Sequence, residues 1–471
     1  MPTLADIVYG RSPAFVQDLL VSQYGRRILK DRFGRAFDET MDLFARSERW
    51  SGDEMRAYQD KRVEAIVAHA YETVPFYRER MDALHLRPAD VRTVGDLPKL
   101  PVLTRADVAA NAARLASRAV QRRDRWAVWT SGTTGSPLPI WWDRGVVVAA
   151  NACLWRSRRW AGVEFGRPYA TLFGRLVVPP RATRPPYWRV NRPWRQLLLS
   201  PVHLSDATAP LYLDAIAGFG AESLESYPSS ACLLARYAQA AGARLPLRAV
   251  FTTSEPLLPE QRAAIEDAFA CRVFDFYSQA ERVAFTSECG EHAGHHLHEE
   301  YGVTELLGND GAPVPPGTPG RMVATTLHNR AMPLIRYAVG DATAMTGEPC
   351  ACGRTLPLTA GVATKQEDLL VAADGRLVAP SVLAGVFKRS TPVSKSQIVQ
   401  REAGEVTVRV VRLDGYTQED ERSIERGFRA RLGTGLRVRF EYVDDIPCSS
   451  RGKYRWVIST VPHRWGGGSG A

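Results

Sequence analysis

The sequence predicts an α/β protein, with a large layered body followed by a small α+β domain. Three observations support this class. The first hundred residues have helical signals, residues 125–345 alternate short apolar runs with helical segments, and the last hundred residues follow a strand–helix–strand pattern. A chain of 471 residues is long enough for a large core and for more than one domain.

A long helix is predicted in the N-terminal region. Ser51 and Glu54 form a capping-box pattern, which marks a helix start. Val74 precedes Pro75, and a residue before proline disfavours helical geometry, so the helix is expected to end near Thr73. Apolar residues at helical spacing lie between these limits: Met55, Tyr58, Val63, Ile66, Val67 and Ala70.

The central region contains apolar runs that we interpret as strands of a layered sheet, at residues 126–129, 248–251, 272–276 and 322–326. Residues 175–200 are rich in proline and arginine and are predicted to form a loop.

The C-terminal region predicts a compact β-α-β unit. Val406, Val408 and Val410 alternate with polar residues, as in a half-exposed strand. Thr417 starts a helix that ends near Gly433, and residues 436–442 form the second strand.

Composition and charge exclude several classes of protein. The net charge is +10, with arginine clusters at 156–159 and 181–195, which we interpret as a solvated surface. Because no zinc finger, helix-turn-helix or RNA-binding pattern accompanies the charge, a nucleic-acid partner is not expected. No apolar run approaches the ~20 residues needed to span a bilayer, and the N-terminus lacks signal-peptide features, so we expect a cytoplasmic protein.

A hydroxyl-rich loop follows the first predicted strand. It comprises Thr130, Ser131, Gly132, Thr133, Thr134 and Gly135. Glycine lets backbone N–H groups approach an anion, and the hydroxyls add further donors to phosphate oxygens. The loop lacks the Gly-Lys-Ser/Thr ending of a Walker motif. A polar turn between two strands remains the alternative interpretation.

Four further segments follow this loop in a fixed order: 252–256, 277–281, 336–341 and 450–455. Each segment alone is weak evidence for a function. The order of the set, however, resembles that of the motifs in the adenylate-forming superfamily of acyl-CoA synthetases, adenylation domains and luciferases. Within that superfamily the chain is most similar to the phenylacetate–CoA ligase and CapK-like branch, over roughly residues 50–460.

The resemblance implies an α/β body of the adenylate-forming type with a small, mobile C-terminal lid. It implies domain limits of 1–364 for the body, 365–368 for the hinge and 369–463 for the lid. We expect residues 464–471, which are mostly glycine and serine, to be disordered.

The resemblance also implies roles for individual residues. The hydroxyl loop would hold the β- and γ-phosphates of ATP, and Glu281 would bind Mg²⁺. Asp341 would accept hydrogen bonds from the ribose hydroxyls. Lys453 would bridge the attacking carboxylate and ATP. The remaining implied ATP-binding residues are Ser254, Glu255, Pro256, Tyr277, Ser278 and Lys365. Glu367 matches the hinge acid. Trp141 and Tyr227 are candidates for the acid pocket.

The implied reaction is attack of a carboxylate on the α-phosphorus of ATP, with release of pyrophosphate, followed by transfer of the acyl group to CoA. An aromatic acid is one candidate substrate. The alternatives left open are an amine acceptor, activation of nitrite, and transfer of AMP itself; a non-catalytic scaffold is disfavoured because it needs neither Glu281 nor Lys453. Expected partners are therefore a small-molecule acid and an acceptor, and the sequence does not decide between a monomer and a homodimer.

The cysteines raise the question of a metal. Seven cysteines in a chain without a signal do not suggest a disulfide framework. By resemblance to the same branch, Cys289, His296, Cys350 and Cys352 would form a closed Zn²⁺ site, since three thiolates and an imidazole suit a structural zinc. The equally weighted alternative is a set of reduced cysteines beside an exposed histidine cluster.

Overall fold

Helices build the N-terminal part of the body. The computed structural model describes residues 4–130, 138–308, 310–362, 368–378, 380–387, 392–446 and 456–462. The first helices are α1 (Leu4–Arg11), α2 (Ala14–Arg32), α3 (Arg35–Ser47), α4 (Gly52–Thr73), α5 (Pro75–Ala83) and α6 (Arg105–Asn111). The predicted long helix is confirmed as α4, with the Ser51–Glu54 capping box at its start and its end at Thr73.

A large sheet forms the centre of the body. An antiparallel ribbon of β1 (Trp126–Trp129) and β2 (Pro139–Trp142) precedes α7 (Arg144–Trp160). The strands that follow are β3 (Tyr169–Leu172), β4 (Trp188–Asn191), β5 (Gln196–Leu199), β6 (Ser223–Ser226), β7 (Ala249–Thr253), β8 (Arg272–Ser278), β9 (Phe285–Glu288) and β10 (His295–Leu297). The helices between them are α8 (Ala209–Phe219), α9 (Pro228–Ala240) and α10 (Pro259–Phe269).

A smaller sheet lies beside the large one. It consists of the antiparallel strands β11 (Gly302–Leu307), β12 (Gly320–Thr326) and β13 (Tyr337–Thr343). A short strand, β14 (Leu358–Thr359), then returns to the large sheet, whose order is β14-β10-β9-β8-β7-β6-β3-β5-β4. The five strands β5, β3, β6, β7 and β8 are parallel, which confirms the predicted α/β class.

The parallel strands are covered on both faces, as such sheets require. Val250 packs with Leu213 and Ile265 among α8, α9 and α10. The next residue of β7, Phe251, packs with the other cluster, beneath α3 and α7. Because successive side chains of a strand point to opposite faces, one strand contributes to both cores.

The C-terminal region forms its own small α+β unit. Its elements are β15 (Leu370–Val371), β16 (Leu377–Val378), α11 (Ala384–Phe387), β17 (Val393–Gln400), β18 (Glu405–Arg412), α12 (Gln418–Leu432), β19 (Arg437–Tyr442) and β20 (Val457–Ser459). A four-stranded sheet of order β19-β18-β17-β20 packs on α12 around Ile398, Val408 and Phe428. The predicted strand–helix–strand pattern is thus confirmed.

Two expectations were wrong. Residues 175–200 contain β4 and β5, because the apolar run at 197–199 pairs with β3 and extends the sheet. Arg156 and Arg158 are not part of a solvated surface. Both are buried, with Arg156 2.7 Å from Glu300 and Arg158 bonded to Glu225, so buried carboxylates offset their charge.

Candidate active site

Two of the predicted site segments, together with Tyr227, follow neighbouring strands at one edge of the large sheet. The parallel strands β3, β6, β7 and β8 lie side by side in register, so their carboxyl ends form a continuous edge. Tyr227 follows β6, Ser254 follows β7, and Glu281 lies three residues beyond β8. In open parallel sheets, ligands bind in the crevice outside these ends.

The loop after β7 is held against the start of α9. Ser254 is exposed and has a φ of 71°, a conformation that non-glycine residues seldom adopt and that recurs at functional sites. The Glu255 carboxylate accepts hydrogen bonds from the Ser229 amide at 3.2 Å and from the Ser229 hydroxyl at 2.6 Å. Pro256 follows, half-buried. This loop is therefore tied next to Tyr227, whose ring lies 4.9 Å from that of Phe173.

Tyr277 and Asp341 connect the two sheets. The Tyr277 hydroxyl, near the end of β8, donates to Oδ2 of Asp341 in β13 at 2.9 Å. Burial, reinforced by the nearby Asp341 carboxylate, raises the pKa of Tyr277 well above its usual value. Tyr277 therefore remains a neutral donor that orients Asp341, while the adjacent Ser278 is exposed.

Glu281 is buried beside two polar side chains, those of Tyr337 and Arg105. Its Oε1 accepts a hydrogen bond from the Tyr337 hydroxyl at 3.0 Å and lies 3.9 Å from Nη1 of Arg105. Burial raises the pKa of Glu281, and Arg105 opposes that shift. Nη2 of Arg105 also donates to Oγ1 of Thr130 at 3.3 Å. Arg105 thus links Glu281 to the first residue of the hydroxyl loop.

Backbone pairing with β13 positions Arg105. The Leu103 amide donates to the Arg336 carbonyl at 2.8 Å, and the Ala338 amide donates to the Leu103 carbonyl at 2.9 Å. The Arg336 guanidinium holds Glu305 with bonds of 2.9 and 2.8 Å, which anchors this end of β13. Sequence reasoning missed Arg105, although it follows the helix-capping Thr104.

Several predicted residues lie outside the described part of the chain: Ser131, Gly132, Thr133, Thr134, Gly135, Lys365, Glu367 and Lys453. Their roles, and the domain limits, remain predictions. Of the hydroxyl loop, Thr130 is described. It is buried, and its backbone amide donates to the Leu138 carbonyl at 3.1 Å.

The two neighbouring tryptophans of β2 have different surroundings. Trp141 lies beneath the Arg125 guanidinium, with 4.7 Å between Cζ and the ring centroid. Trp142 donates from Nε1 to the Ala280 carbonyl at 2.8 Å and so contacts the loop that carries Glu281. Sequence reasoning named only Trp141, because the direction of each side chain depends on how the strand packs.

Four candidate metal ligands converge at the edge of the sheet. One ligand atom from each of Cys289, His296, Cys350 and Cys352 lies within 4.8 Å of the others. The two sulfur atoms of Cys289 and Cys350 are 3.6 Å apart, and Cys352 Sγ is 3.4 Å from His296 Nε2. Tetrahedral zinc ligands at ~2.0–2.3 Å from the ion have similar separations, so the donor set fits Zn²⁺.

The surroundings of the four candidate ligands correct one expectation and support their fit to Zn²⁺. His295, His296 and His298 are buried, so the histidine cluster is not exposed. Nδ1 of His296 lies 3.0 Å from the Leu356 carbonyl, which leaves Nε2 facing the sulfurs. Such a carbonyl partner commonly orients a metal-binding imidazole.

Comparison with known proteins agrees with this architecture. Residues 370–460 match the CapK C-terminal domain family. Protein CapK of Staphylococcus aureus is 23% identical over 97% of this chain and 100% of its own length. A phenylacetate-coenzyme A ligase of Thermus thermophilus is 27% identical over 86% of this chain and 96% of its own.

Solved structures agree on the fold. A 2-hydroxyisobutyryl-CoA ligase in complex with 2-HIB-AMP and CoA has a TM-score of 0.58 and 21% identity, covering 88% of this chain and 91% of its own. The chain therefore shares the fold of this acid–CoA ligase. In sequence it is similar to CapK and to the phenylacetate-coenzyme A ligases. Among the described residues, no helix is both long and apolar enough to cross a membrane.

Proposed function

We propose that the protein activates a carboxylic acid with ATP, releasing pyrophosphate, and transfers the acyl group to CoA as a thioester. The observation that carries this proposal is the convergence of Thr130, Glu281 and Asp341 from distant parts of the chain, linked through Arg105, Tyr337 and Tyr277. The names of its relatives, phenylacetate-coenzyme A ligase and 2-hydroxyisobutyryl-CoA ligase, support CoA as the acceptor.

The proposed roles follow from the chemistry of each group. Asp341, held by Tyr277, would accept the two ribose hydroxyls, and Tyr277 would lie against the adenine. Ser254, Glu255, Pro256 and Ser278 would line the adenine side, with Lys365 as a further nucleotide contact. Trp141 and Tyr227 would lie on the acid side. Lys453 would approach the reacting carboxylate from the small domain.

Glu281 suits a magnesium site completed by the substrate. Mg²⁺ in nucleotide enzymes is commonly held by one or two carboxylates together with phosphate oxygens. Glu281 supplies a buried carboxylate, which Arg105 links to Thr130. The ion would offset charge as the two anions meet. Arg105, which faces both Glu281 and Thr130, adds fixed positive charge at the same place.

We propose that the small domain acts as a lid that turns about a hinge at 365–368. A contact of Asp368 supports this position for the hinge. Its Oδ2 accepts a hydrogen bond from the Ser459 amide at 2.9 Å, so the last residue of the proposed hinge is bonded to the small domain. In its present position the lid touches the body, where Arg376 donates to the Val202 carbonyl. Such a rotation would bring Lys453 to the site for one half-reaction and withdraw it for the other.

Pyrophosphate exchange with a panel of carboxylic acids tests the proposed adenylation. We expect acid-dependent exchange of label between pyrophosphate and ATP without CoA, and a thioester by mass spectrometry once CoA is added. Exchange without thioester formation would support an amine or another acceptor instead. If none of the acids in the panel supports exchange, the assignment is refuted.

Replacing Asp341 with alanine is expected to raise the KM for ATP about tenfold or more, because two hydrogen bonds to a charged acceptor are lost. Steady-state pyrophosphate release at varied ATP measures the change. Asp341→Asn is the matched control, since it keeps the size and part of the acceptor capacity and should have a smaller effect. An unchanged ATP affinity in Asp341→Ala would contradict the ribose contact.

We propose a structural zinc ion at Cys289, His296, Cys350 and Cys352. Metal analysis of protein purified without a histidine tag should give about one zinc per chain, the content of a single closed site. Cys352→Ser should lower both zinc content and the thermal midpoint, because structural zinc contributes directly to folding. Cys232→Ser, at a buried cysteine outside the cluster, is the control for loss of a thiol and should retain zinc. Zinc below about a tenth of an equivalent would exclude the site.

A further inference from the structure

Helix α2 covers the edge of the large sheet with one side and faces solvent with the other. The last strand of that sheet is β4, and Ser22 of α2 donates from Oγ to the Val190 carbonyl of β4 at 3.1 Å. Asp18 Oδ1 accepts a hydrogen bond from the Val190 amide at 2.9 Å, and the Gly25 carbonyl accepts one from Trp194 Nε1 at 2.8 Å. These bonds fix the rotation of the helix about its axis and so determine which residues point outward.

The N-terminal half of the outward side of α2 is apolar. Phe15 is 68% exposed, Leu19 61%, Tyr24 58% and Leu20 41%. At 3.6 residues per turn these four residues lie within one half of the helix circumference, with Leu19 four residues after Phe15 and Tyr24 four after Leu20. A contiguous exposed group of large apolar side chains marks an interaction surface.

The C-terminal half of the same side is basic. Arg26, Arg27 and Lys30 are exposed and continue the outward side toward the end of the helix. The two acids of α2, Asp18 and Asp31, are partly buried, so the fully exposed charges of this helix are all positive. We refer to these exposed apolar and basic residues together as the outer face of α2.

The outer face of α2 combines the two properties that bind an anionic membrane surface. Phenylalanine, leucine and tyrosine side chains insert at the boundary between lipid headgroups and acyl chains, and arginine and lysine attract anionic headgroups. A second copy of the chain fits less well. A two-fold contact brings the same surface of both chains together, and this surface has no exposed acid to neutralise Arg26, Arg27 and Lys30. We propose that the outer face of α2 binds the surface of a membrane that contains anionic lipids.

The outer face of α2 is remote from the candidate active site. Between β4, which α2 covers, and β8, which carries Tyr277, the sheet contains the four strands β7, β6, β3 and β5. Membrane binding through α2 therefore needs no change at Tyr277 or Glu281. The inference goes beyond the proposed adenylation and does not depend on it.

Flotation of the full-length protein with lipid vesicles tests the inference. The vesicles contain either phosphatidylcholine alone or phosphatidylcholine with about a third phosphatidylglycerol, which is anionic. We expect binding to the anionic vesicles to be about tenfold stronger or more than binding to the neutral ones. Raising the salt from about 0.1 M to about 1 M should weaken it, because screening shortens the reach of the basic residues. Equal binding to both vesicles, or binding to neither, overturns the inference.

Two double variants test the two halves of the outer face separately. Phe15→Ser with Leu19→Ser should weaken binding to anionic vesicles about tenfold, because two inserted apolar side chains are lost. Arg26→Gln with Arg27→Gln should also weaken it about tenfold, because two attractions to headgroups are lost. Unaltered binding in either double variant overturns the inference. A loss confined to the arginine variant would indicate plain charge attraction without insertion.

Matched controls come from the small domain. Leu413→Ser removes an exposed apolar side chain, and Arg401→Gln with Arg422→Gln removes two exposed charges, so both should bind vesicles as the unaltered protein does. Equal losses in these controls overturn the inference. All of the changed side chains are exposed, and thermal unfolding should therefore show an unaltered midpoint in every variant.

Sedimentation equilibrium without vesicles tests the second copy as the occupant. We expect the oligomeric state to be the same in the unaltered protein and in the variant with Phe15→Ser and Leu19→Ser. A dimer that this variant dissociates would overturn the inference in favour of self-association through α2.

Discussion

Replacing Lys453 with alanine is expected to lower acyl-adenylate formation about a thousandfold, the largest effect we anticipate. Two anions must approach each other in the proposed reaction, and a fixed cation at the point of attack is among the strongest electrostatic contributions to catalysis. Pyrophosphate exchange under saturating ATP and acid measures this loss. The fold should persist, as circular dichroism and thermal unfolding of the variant would verify.

The second half-reaction provides an internal control for Lys453. A synthetic acyl-adenylate supplied with CoA bypasses the attack on phosphorus, so the alanine variant should still form thioester from it. Arg451→Ala, which removes a charge two residues away, should affect adenylation far less. Near-normal exchange in Lys453→Ala would remove this lysine from the mechanism.

Replacing Glu281 with glutamine is expected to lower adenylation about a hundredfold, since a neutral amide is a poor ligand for Mg²⁺. Glutamine keeps the size of the side chain and can still accept the Tyr337 hydrogen bond, so the fold should not change. The apparent Mg²⁺ affinity, from exchange rates at varied Mg²⁺, should fall in parallel. A Mg²⁺ dependence equal to that of the unaltered enzyme would contradict the assigned role.

The raised pKa of Glu281 predicts that the Mg²⁺ requirement of adenylation depends on pH. Because burial favours the protonated carboxyl, Mg²⁺ must compete with a proton, and the Mg²⁺ requirement should increase as pH falls through that pKa. Glu281→Gln has no proton to lose and should lack this dependence. Glu299, whose pKa burial raises to about 7, is a control for a buried carboxyl elsewhere, and Glu299→Gln should retain the unaltered profile.

Local sequence patterns predicted much of the secondary structure. The capping box at Ser51 and the proline after Val74 set the ends of α4, since both act on neighbouring backbone atoms. The alternation around Val408 predicted β18 for a similarly local reason. Residues 175–200 were wrongly predicted to be a loop, because prolines and arginines are typical of loops. Their strands β4 and β5 form through pairing that includes β3, which lies outside this segment.

The candidate site was only partly accessible from sequence. Tyr277, Glu281 and Asp341 stand in recognisable motifs, and their order along the chain pointed to adenylate-forming chemistry. Arg105, Tyr337 and Trp142 carry no such signal, because each acts through contacts made only after folding. The buried pairing of Arg158 with Glu225 likewise joins residues that are far apart along the chain.

The sequence by itself determined the α/β class, the separate C-terminal pattern and the set of chemical groups available for catalysis, because these follow from side-chain identity and short-range spacing. The tertiary structure decided which of those groups meet. It joined Thr130 to Glu281 through Arg105, held Asp341 with Tyr277, and gathered three cysteines and His296. Convergence of this kind depends on strand order and long-range packing, and a linear pattern does not encode them locally.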